Sequence, residues 1–262
     1  MRERRRSGRG AGRLNGSSEA FERDGYVIFR GVLDAALVAE AAAHVGWLTA
    51  RRAAQAWEDS GHGLVAADPF WVRLASDERL LDVVETLIGP DIALFASHYR
   101  CTPPFDARNG GWRRDGLAWP LDPPRFVTFR VAIDARPRPD GSWRVLPGSH
   151  RLAEGGAAPP EPAVVESGPD PAAAVLKLEL APGDVAAYHP LLLHAAGANP
   201  TPRRRCDLNL RYTPTSARIT SPAWPCALLL RGRPLAGGNP YRPRPRYLPG
   251  RHMPFRGCED WV

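Results

Sequence analysis

The hydrophobic pattern of this chain changes its period between Ile88 and Ile92. Up to Ile88, apolar residues recur at the alternating spacing of three and four that is typical of amphipathic helices. From Ile92 onward they recur at every second position, as in half-buried strands. The pattern therefore predicts helices in the first part of the chain and strands in the rest.

Two amphipathic helices are predicted in the first part, after a short helix end that runs into a strand over residues 21–29. The first follows the capping residue Asp34, and the second follows the capping residue Ser76 and ends at Gly89-Pro90. Their apolar stripes are Leu37, Val38, Ala41, Val45 and Leu48 in the first helix and Leu80, Val83, Val84 and Leu87 in the second.

Short strands separated by turn sequences are predicted in the second part. The strands cover residues 92–99, 126–133, 143–145, 173–180, 184–188 and 206–213, and Pro- and Gly-containing turns lie at 139–141, 147–149 and 182–184. Helices followed by many short strands favour a mainly β protein with some α-helix. We predict a jelly-roll (cupin-like) barrel with flanking N-terminal helices.

The length of 262 residues suits one domain, which we place at residues 19–262. Residues 1–18 contain six arginines and one glutamate with no apolar segment behind them, so a disordered basic tail is predicted there. An Ala/Pro/Gly-rich loop or lid insert is expected at 155–171. A Pro- and Arg-rich C-terminal segment, 221–262, should wrap irregularly over the barrel and be anchored by Trp224, Tyr241 and Trp261.

Composition excludes several classes of partner. The net charge of +7 is concentrated in the basic tail and no nucleic-acid motif follows it, so we expect no nucleic-acid partner. A weak phosphate-binding role of the tail stays open as an alternative. No apolar run approaches the roughly 18 residues of a membrane helix, and a cytoplasmic location is predicted. The four cysteines lack C-x-x-C spacing, so they are expected to be free thiols, without zinc, in a reducing compartment.

Polar residues interrupt the predicted strands in a regular way. In the last strand Arg205, Asp207, Asn209 and Arg211 share one face, while Cys206, Leu208, Leu210 and Tyr212 share the other. Thr128 and Arg130 alternate in the same manner with Val127, Phe129 and Val131. We expect the polar faces to line the interior of the barrel and the apolar faces to pack against the helices.

Four sequence blocks, in this order, resemble the phytanoyl-CoA dioxygenase (PhyH-like) family over roughly residues 19 to 250. They are FERDGYVIFRGVLD from Phe21, WRRDG at 112–116, DGSWRVLPGSHR at 140–151 and GDVAAYHPLLLHAAGANPTPRRRCDLNLRY at 183–212. The resemblance implies a double-stranded β-helix. It also implies an oxygenase that uses Fe(II), 2-oxoglutarate and O2 on a small molecule.

The resemblance assigns roles to particular residues. Asp115 falls on the carboxylate ligand of the metal, His194 on the distal histidine ligand, and Arg205 on the residue that binds 2-oxoglutarate. The family's first metal-binding histidine is replaced by Arg113, which has no lone pair to donate to iron. Ala196 likewise stands where a serine is usual, and Arg130 adds a charge to the barrel interior.

Two functions follow from these residues. The first is an Fe(II)/2-oxoglutarate-dependent dioxygenase that hydroxylates a small molecule. The alternative is a catalytically impaired relative that acts as a binding or scaffold protein because of Arg113. The candidate pocket residues are Thr128, Arg130, His189, Asn209 and Arg211. His98 is a further candidate to replace the missing ligand, and Arg113 is predicted to lie beside Asp115 and neutralise it.

Overall fold

The computed structural model describes residues 16–51, 64–107, 110–116, 119–134, 143–153, 174–221 and 227–262. The helices are α1 (Ser17–Asp24), α2 (Ala35–Arg51), α3 (Leu64–Ala67), α4 (Pro69–Ala75) and α5 (Glu78–Ile88). The strands are β1 (Tyr26–Phe29), β2 (Ile92–Thr102), β3 (Leu121–Asp122), β4 (Val127–Ala132), β5 (Trp143–Val145), β6 (Leu176–Leu178), β7 (Val185–Tyr188), β8 (His194–Ala195), β9 (Arg205–Pro214), β10 (Arg218–Ile219) and β11 (Leu228–Arg231). The chain is thus mainly β with helices, as the change of period predicts.

The prediction for the second amphipathic helix was wrong at its start. Asp77, not Ser76, caps α5, because the Asp77 carboxylate accepts a hydrogen bond from the backbone N–H of Arg79. Ser76 instead ends the preceding helix α4, which the sequence analysis did not predict. Six of the seven residues of α4 are buried, so this helix shows no amphipathic stripe from which it could be recognised.

Two antiparallel sheets form the body of the protein. The larger has six strands in the order β1-β7-β4-β9-β2-β11, and the smaller has three in the order β6-β5-β8. A two-stranded pair, β10-β3, is separate. The smaller sheet packs on the larger through a cluster that contains Trp143, Val145 and Leu178 from the one and Ala186 and Tyr188 from the other. We call the face of the six-stranded sheet that is turned toward the smaller sheet its inner face.

The opposite, outer face carries the helices. Val127, Phe129 and Val131 of β4 and Leu208, Leu210 and Tyr212 of β9 belong to one buried cluster with side chains of α2, α4 and α5. The Tyr212 hydroxyl donates a hydrogen bond to the Ala75 carbonyl at the end of α4, 2.9 Å away. Each such aliphatic or aromatic side chain contributes roughly 1.5–3 kcal/mol when buried, so this face contributes a large hydrophobic stabilisation.

The expectation of four free thiols was wrong for one pair. Cys101 of β2 and Cys206 of β9 form a disulfide. The two residues stand directly opposite each other on neighbouring antiparallel strands, with their Cα atoms 4.2 Å apart. A sequence separation of 105 residues hid this juxtaposition. Cys258 is free, and Cys226 lies outside the described residues.

The ends of the chain differ from the expectation in one respect. Residues 17 and 18, assigned to the basic tail, are the first residues of α1, and residues 1–15 lie outside the described part. At the C-terminus Trp261 packs on Phe255, with ring centroids 6.2 Å apart, and Tyr241 packs against a small cluster around Phe95. The predicted insert at 155–171, the turn at 139–141 and Trp224 also lie outside the described residues. Within the described part, no helix is long and apolar enough to cross a membrane.

Candidate functional site

The candidate site lies between the two sheets, on the inner face of the larger one. The side chains that alternate with the outer apolar residues point here, among them Arg130 of β4 and Arg211 of β9. Tyr188 of β7 and Trp143 of β5 close the space from the neighbouring strands, with ring centroids 4.9 Å apart. Polar residues on this face are therefore enclosed by aromatic walls.

Asp115 reaches the site on a loop that is fixed to strand β8. Arg113 and His194 exchange backbone hydrogen bonds of 2.9 and 3.1 Å, and the Gly116 N–H donates to the Pro190 carbonyl at 2.8 Å. A Cβ atom at position 116 would lie 2.7 Å from a Pro190 side-chain carbon, so only glycine permits this close approach. The loop therefore holds the Asp115 carboxylate next to the His194 ring.

The Asp115 carboxylate and the His194 ring face each other. His194 Nε2 lies 3.6 Å from Asp115 Oδ1, within the separation of two groups that share one metal ion at bond lengths of about 2 Å each. The other ring nitrogen, Nδ1, is 2.9 Å from the Leu192 carbonyl, to which it donates in the neutral tautomer. Nε2 then presents a lone pair, and this wholly buried atom has no hydrogen-bond partner. Two electron-pair donors that face each other in this way suit a cation between them.

Electrostatics keep the two groups in the forms that bind a cation. Burial lowers the pKa of His194 to about 4, although the nearby Asp115 opposes this shift, so the imidazole is neutral at pH 7. Burial raises the pKa of Asp115, but the guanidinium of Arg211 and, less strongly, that of Arg113 bring it well below its ordinary value. The carboxylate is therefore ionised.

Other groups already contact the Asp115 carboxylate. Arg211 donates to Oδ2 at 2.9 Å and the Tyr188 hydroxyl donates to the same oxygen at 3.1 Å. Arg113 Nε lies 3.7 Å from Oδ1, close enough for an ion pair and too far for a hydrogen bond. The sequence predicted Arg113 beside Asp115, but Arg211 is the closer cation.

Arg205 lies at the other end of β9, in a cavity of about 220 Å³. Its guanidinium donates to the Gly197 and Ala198 carbonyls and to the Thr102 hydroxyl, at distances of 2.8 to 3.3 Å. The cavity is lined by Arg100, Thr102, Asp106, Gly110, Ala196, Gly197 and Arg205. Ala196, which lines this cavity, follows His194 by two residues. The cavity is therefore next to the Asp115–His194 pair along the chain.

The remaining predicted pocket residues are divided between two places. Arg130 forms a buried ion pair with Asp207 and stacks over Trp143, its guanidinium carbon 5.5 Å from the ring centroid. Thr128 and Asn209 are buried on the same inner face, opposite Arg211 and Arg130 respectively. The ring of His189, the remaining predicted pocket residue, packs against His150 and Phe21, with centroids 5.0 and 6.0 Å away.

Comparison with known proteins gives the family. The model of the phytanoyl-CoA dioxygenase (PhyH) family matches residues 21–206, a segment that includes the Asp115 loop, β8 and the start of β9. The chain belongs to this family. The resemblance stated from its sequence motifs is thus confirmed.

Relatives within and around the family show what this fold supports elsewhere. An ectoine dioxygenase from Sphingopyxis alaskensis is 29% identical over 256 residues, covering 83% of each chain. The solved structure of the epimerase SnoN in complex with Fe3+, alpha ketoglutarate and nogalamycin RO is 25% identical, covers 92% of this chain and 98% of that one, and has a TM-score of 0.67. The apo structure of the non-heme monooxygenase ThoJ has the same fold, with a TM-score of 0.71 at 23% identity and coverage of 87% and 88%.

The donor set fits an iron ion at two positions of a facial triad. Asp115 and His194 offer donor atoms of the right chemistry at the right separation. The third position belongs to Arg113, which cannot ligate a metal. His98 does not replace the missing ligand in this arrangement, since its Nδ1 atom is 3.0 Å from Arg211 Nη1 and accepts from it. Among the described residues, no group of three His, Cys, Asp or Glu side chains could hold a metal ion.

Sequence reasoning missed Tyr188 and Trp143 as site residues. Both lie within 6 Å of the His194 ring, with centroid distances of 5.0 and 5.8 Å. The alternation that identified Arg130 and Arg211 also places Tyr188 on the inner face, because Val185 and Ala187 of the same strand belong to the outer cluster. The signal was present in the pattern of β7 but was not applied there.

Proposed function

We propose that this protein is an Fe(II)- and 2-oxoglutarate-dependent oxygenase of the PhyH family that acts on a small molecule. The observation that carries the proposal is the pair formed by Asp115 Oδ1 and His194 Nε2, 3.6 Å apart, of which the nitrogen is buried without a hydrogen-bond partner. An unpaired buried acceptor is costly in a fold that has no use for it. A cation bound by both groups removes that cost.

Each residue has a distinct role in this proposal. Asp115 and His194 would hold the iron, and Arg205 would bind the distal carboxylate of 2-oxoglutarate through its planar fork of donors. Iron held there would supply the activation of O2. The buried aromatic rings of Trp143 and Tyr188 would keep water away from this part of the site.

The relatives support the same cofactor and cosubstrate. One relative is named as an ectoine dioxygenase, and the SnoN complex combines Fe3+ with alpha ketoglutarate in a chain of the same fold. The jelly-roll form of the barrel is the arrangement we propose for the two antiparallel sheets. The expected reactants are therefore O2, 2-oxoglutarate and one small molecule.

A metal-free binding protein is the second candidate, and one observation favours it. Arg113 and Arg211 place two guanidinium groups against a single carboxylate, so Asp115 is neutralised without a metal. Asp115 would then serve to balance these charges, since a buried unpaired carboxylate is costly. The pocket would bind its ligand without turnover.

Titration with Fe(II) under anaerobic conditions tests the two candidates. An oxygenase should bind Fe(II), weakly for want of a third protein ligand, and should convert 2-oxoglutarate to succinate at saturating Fe(II) and O2. Arg113→His restores the third ligand and should tighten Fe(II) binding by about tenfold or more, since even an outer-shell partner alters metal affinity about 10- to 100-fold.

Arg114→His is the matched control, because Arg114 is the neighbouring arginine and donates to the Leu191 carbonyl outside the ligand pair. It should leave Fe(II) affinity unchanged. If the unmodified protein shows neither Fe(II) binding nor succinate formation while Arg113→His shows both, the metal-free candidate is correct.

A further inference from the structure

We propose that Arg113 binds an acidic group of the substrate, and that the substrate class of this site is small organic acids. The inference rests on the proposed function for its claim that the site takes a substrate. It assigns a specificity-determining role to the residue that departs from the family pattern.

The charged groups around Asp115 and Asp207 leave one guanidinium in excess. Arg130 is paired with Asp207, and Arg211 is paired with Asp115 through a 2.9 Å hydrogen bond. Arg113 shares the Asp115 carboxylate with Arg211 and lies farther from it, at 3.7 Å. Arg113 and Arg211 meet at Asp115, and Arg130 stacks over Trp143, whose ring centroid lies 5.8 Å from that of His194, so all three guanidinium groups lie around the Asp115–His194 pair.

The donors of Arg113 are available for a ligand. The side chain is 30% exposed, whereas those of Arg130 and Arg211 are 6% and 5% exposed, so Arg113 alone of the three can be reached readily from outside. Its one described side-chain contact is the 3.7 Å ion pair, which leaves the planar fork without a geometrically good acceptor. A carboxylate fits that fork in bidentate fashion.

The backbone holds Arg113 in a fixed position. Its N–H and C=O groups both bond to His194, so its side chain leaves the strand on the same side as the His194 ring. Arg114, one residue later, behaves differently and donates its Nε hydrogen to the Leu191 carbonyl. The acid bound by Arg113 would thus lie next to the proposed metal ligands, where the substrate must react.

The neighbouring surfaces separate this acid from the cosubstrate. The body of the acid would pack against the rings of Trp143 and Tyr188, which flank His194 at 5.8 and 5.0 Å. The cavity around Arg205 is lined by Gly110, Ala196 and Gly197, and its described lining includes none of Arg113, Trp143 and Tyr188. Two anions can therefore occupy the site, each with its own arginine.

Fluorine NMR titration of the full-length, metal-free protein tests the inference. The probes are 4-fluorobenzoate and its neutral analogue 4-fluorobenzamide, which differ in charge and have nearly the same size. We expect 4-fluorobenzoate to bind at least about tenfold more tightly than the amide, because a charge-assisted bidentate contact is lost in the amide. Excess 2-oxoglutarate should not displace 4-fluorobenzoate.

Variants identify the responsible residue. Arg113→Gln should abolish the preference for 4-fluorobenzoate, and Arg113→Lys should retain part of it because the charge remains without the fork. Arg125→Gln is the matched control, since Arg125 is an exposed arginine outside the inner face, and it should change nothing. Melting curves of each variant verify the fold, which the backbone bonds of residue 113 should preserve.

Several outcomes would overturn the inference. These are equal affinities for the two probes, no binding of 4-fluorobenzoate, a preference that survives Arg113→Gln, or displacement by 2-oxoglutarate, which would assign Arg113 to the cosubstrate. Because the titration uses neither iron nor O2, it is independent of the oxygenase test. A protein that fails to bind Fe(II) but prefers 4-fluorobenzoate through Arg113 would refute the proposed activity and leave the ligand class intact.

Discussion

The two faces of strand β9 show how one segment serves both stability and chemistry. On the outer face Leu208, Leu210 and Tyr212 are wholly buried against the helices. On the inner face Arg205, Asp207, Asn209 and Arg211 are nearly as buried, and only 2 to 5% of the surface of each residue is exposed. The faces therefore differ in chemistry and hardly at all in burial.

This difference separates the sources of free energy. The outer face gains stability from the removal of apolar surface from water. The charges of the inner face lose their hydration, and ion pairs such as Arg130–Asp207 and Arg211–Asp115 offset the free-energy cost of that loss. Buried charges reduce stability, so a fold retains them where they bind a ligand. The polar face of β9 is therefore the one that indicates the site.

The largest expected effect is a loss of stability at Phe129 of β4, which its neighbour Thr128, on the opposite face, should not share. Phe129→Ala should reduce the free energy of unfolding by about 3–5 kcal/mol, because Phe129 is wholly buried and packs on Tyr212 with ring centroids 5.2 Å apart. Thr128→Val is the control on the inner face and should change stability by less than about 1 kcal/mol, since the buried Thr128 hydroxyl has no hydrogen-bond partner. Urea unfolding measures both, and a large loss in Thr128→Val would contradict the contrast.

The inner face should nevertheless be sensitive to the loss of one charge of a pair. Asp115→Asn leaves the buried Arg211 guanidinium without its carboxylate and should destabilise the protein by about 3 kcal/mol. Asp122→Asn, at an exposed aspartate of β3, should have little effect. Thermal unfolding compares the two variants. Equal melting temperatures would mean that the Asp115 pair contributes nothing to the fold.

A smaller effect, on binding, is expected at the far end of β9. Arg205→Lys keeps the charge but loses the planar fork, and should weaken 2-oxoglutarate binding about tenfold, the equivalent of one hydrogen bond to a charged group. Calorimetry measures this affinity. An unaltered affinity would assign the cosubstrate to Arg130 or Arg211 instead.

The smallest expected effect is a dependence of stability on pH, which comes from His189, outside the inner face. Burial, and then the nearby His150, lower the pKa of His189 to about 4. The unfolded chain therefore binds a proton first as the pH falls from about 6.5 toward 4, and stability decreases over that window. Between pH 7 and pH 4.5, the free energy of unfolding of the His189→Asn variant should fall by about 1 kcal/mol less than that of the unmodified protein, after allowance for the partial exposure of His189. Parallel stability curves would show that His189 does not contribute.

Much of the fold could be predicted from local patterns. The amphipathic stripe and cap at Asp34 predicted α2, and the Asp34 carboxylate does accept from the Leu37 N–H at 2.8 Å. The strand predicted at residues 143–145 matches β5 at both ends. Helix α4 was not predicted because it is buried all round, and the very short strands β3, β8 and β10 are too short to show a period.

The candidate site could be predicted in its members but not in its contacts. The motifs named Asp115, His194 and Arg205, and the alternation of side chains placed Arg130 and Arg211 on the inner face. The sequence did not reveal that Arg211, 96 residues after Asp115, would approach it more closely than Arg113 does. It also gave no indication of the Cys101–Cys206 disulfide.

The sequence by itself determined which residues face inward, because the period of a strand is a local property of the backbone. It also determined the family and the replacement of a metal-binding histidine by Arg113. Only the tertiary structure decided which inward residues meet, because the register of β2, β4, β7 and β9 and the closure of the Asp115 loop onto β8 depend on contacts between distant segments. The partners of each charge, and so the excess of positive charge at Arg113, follow from that register.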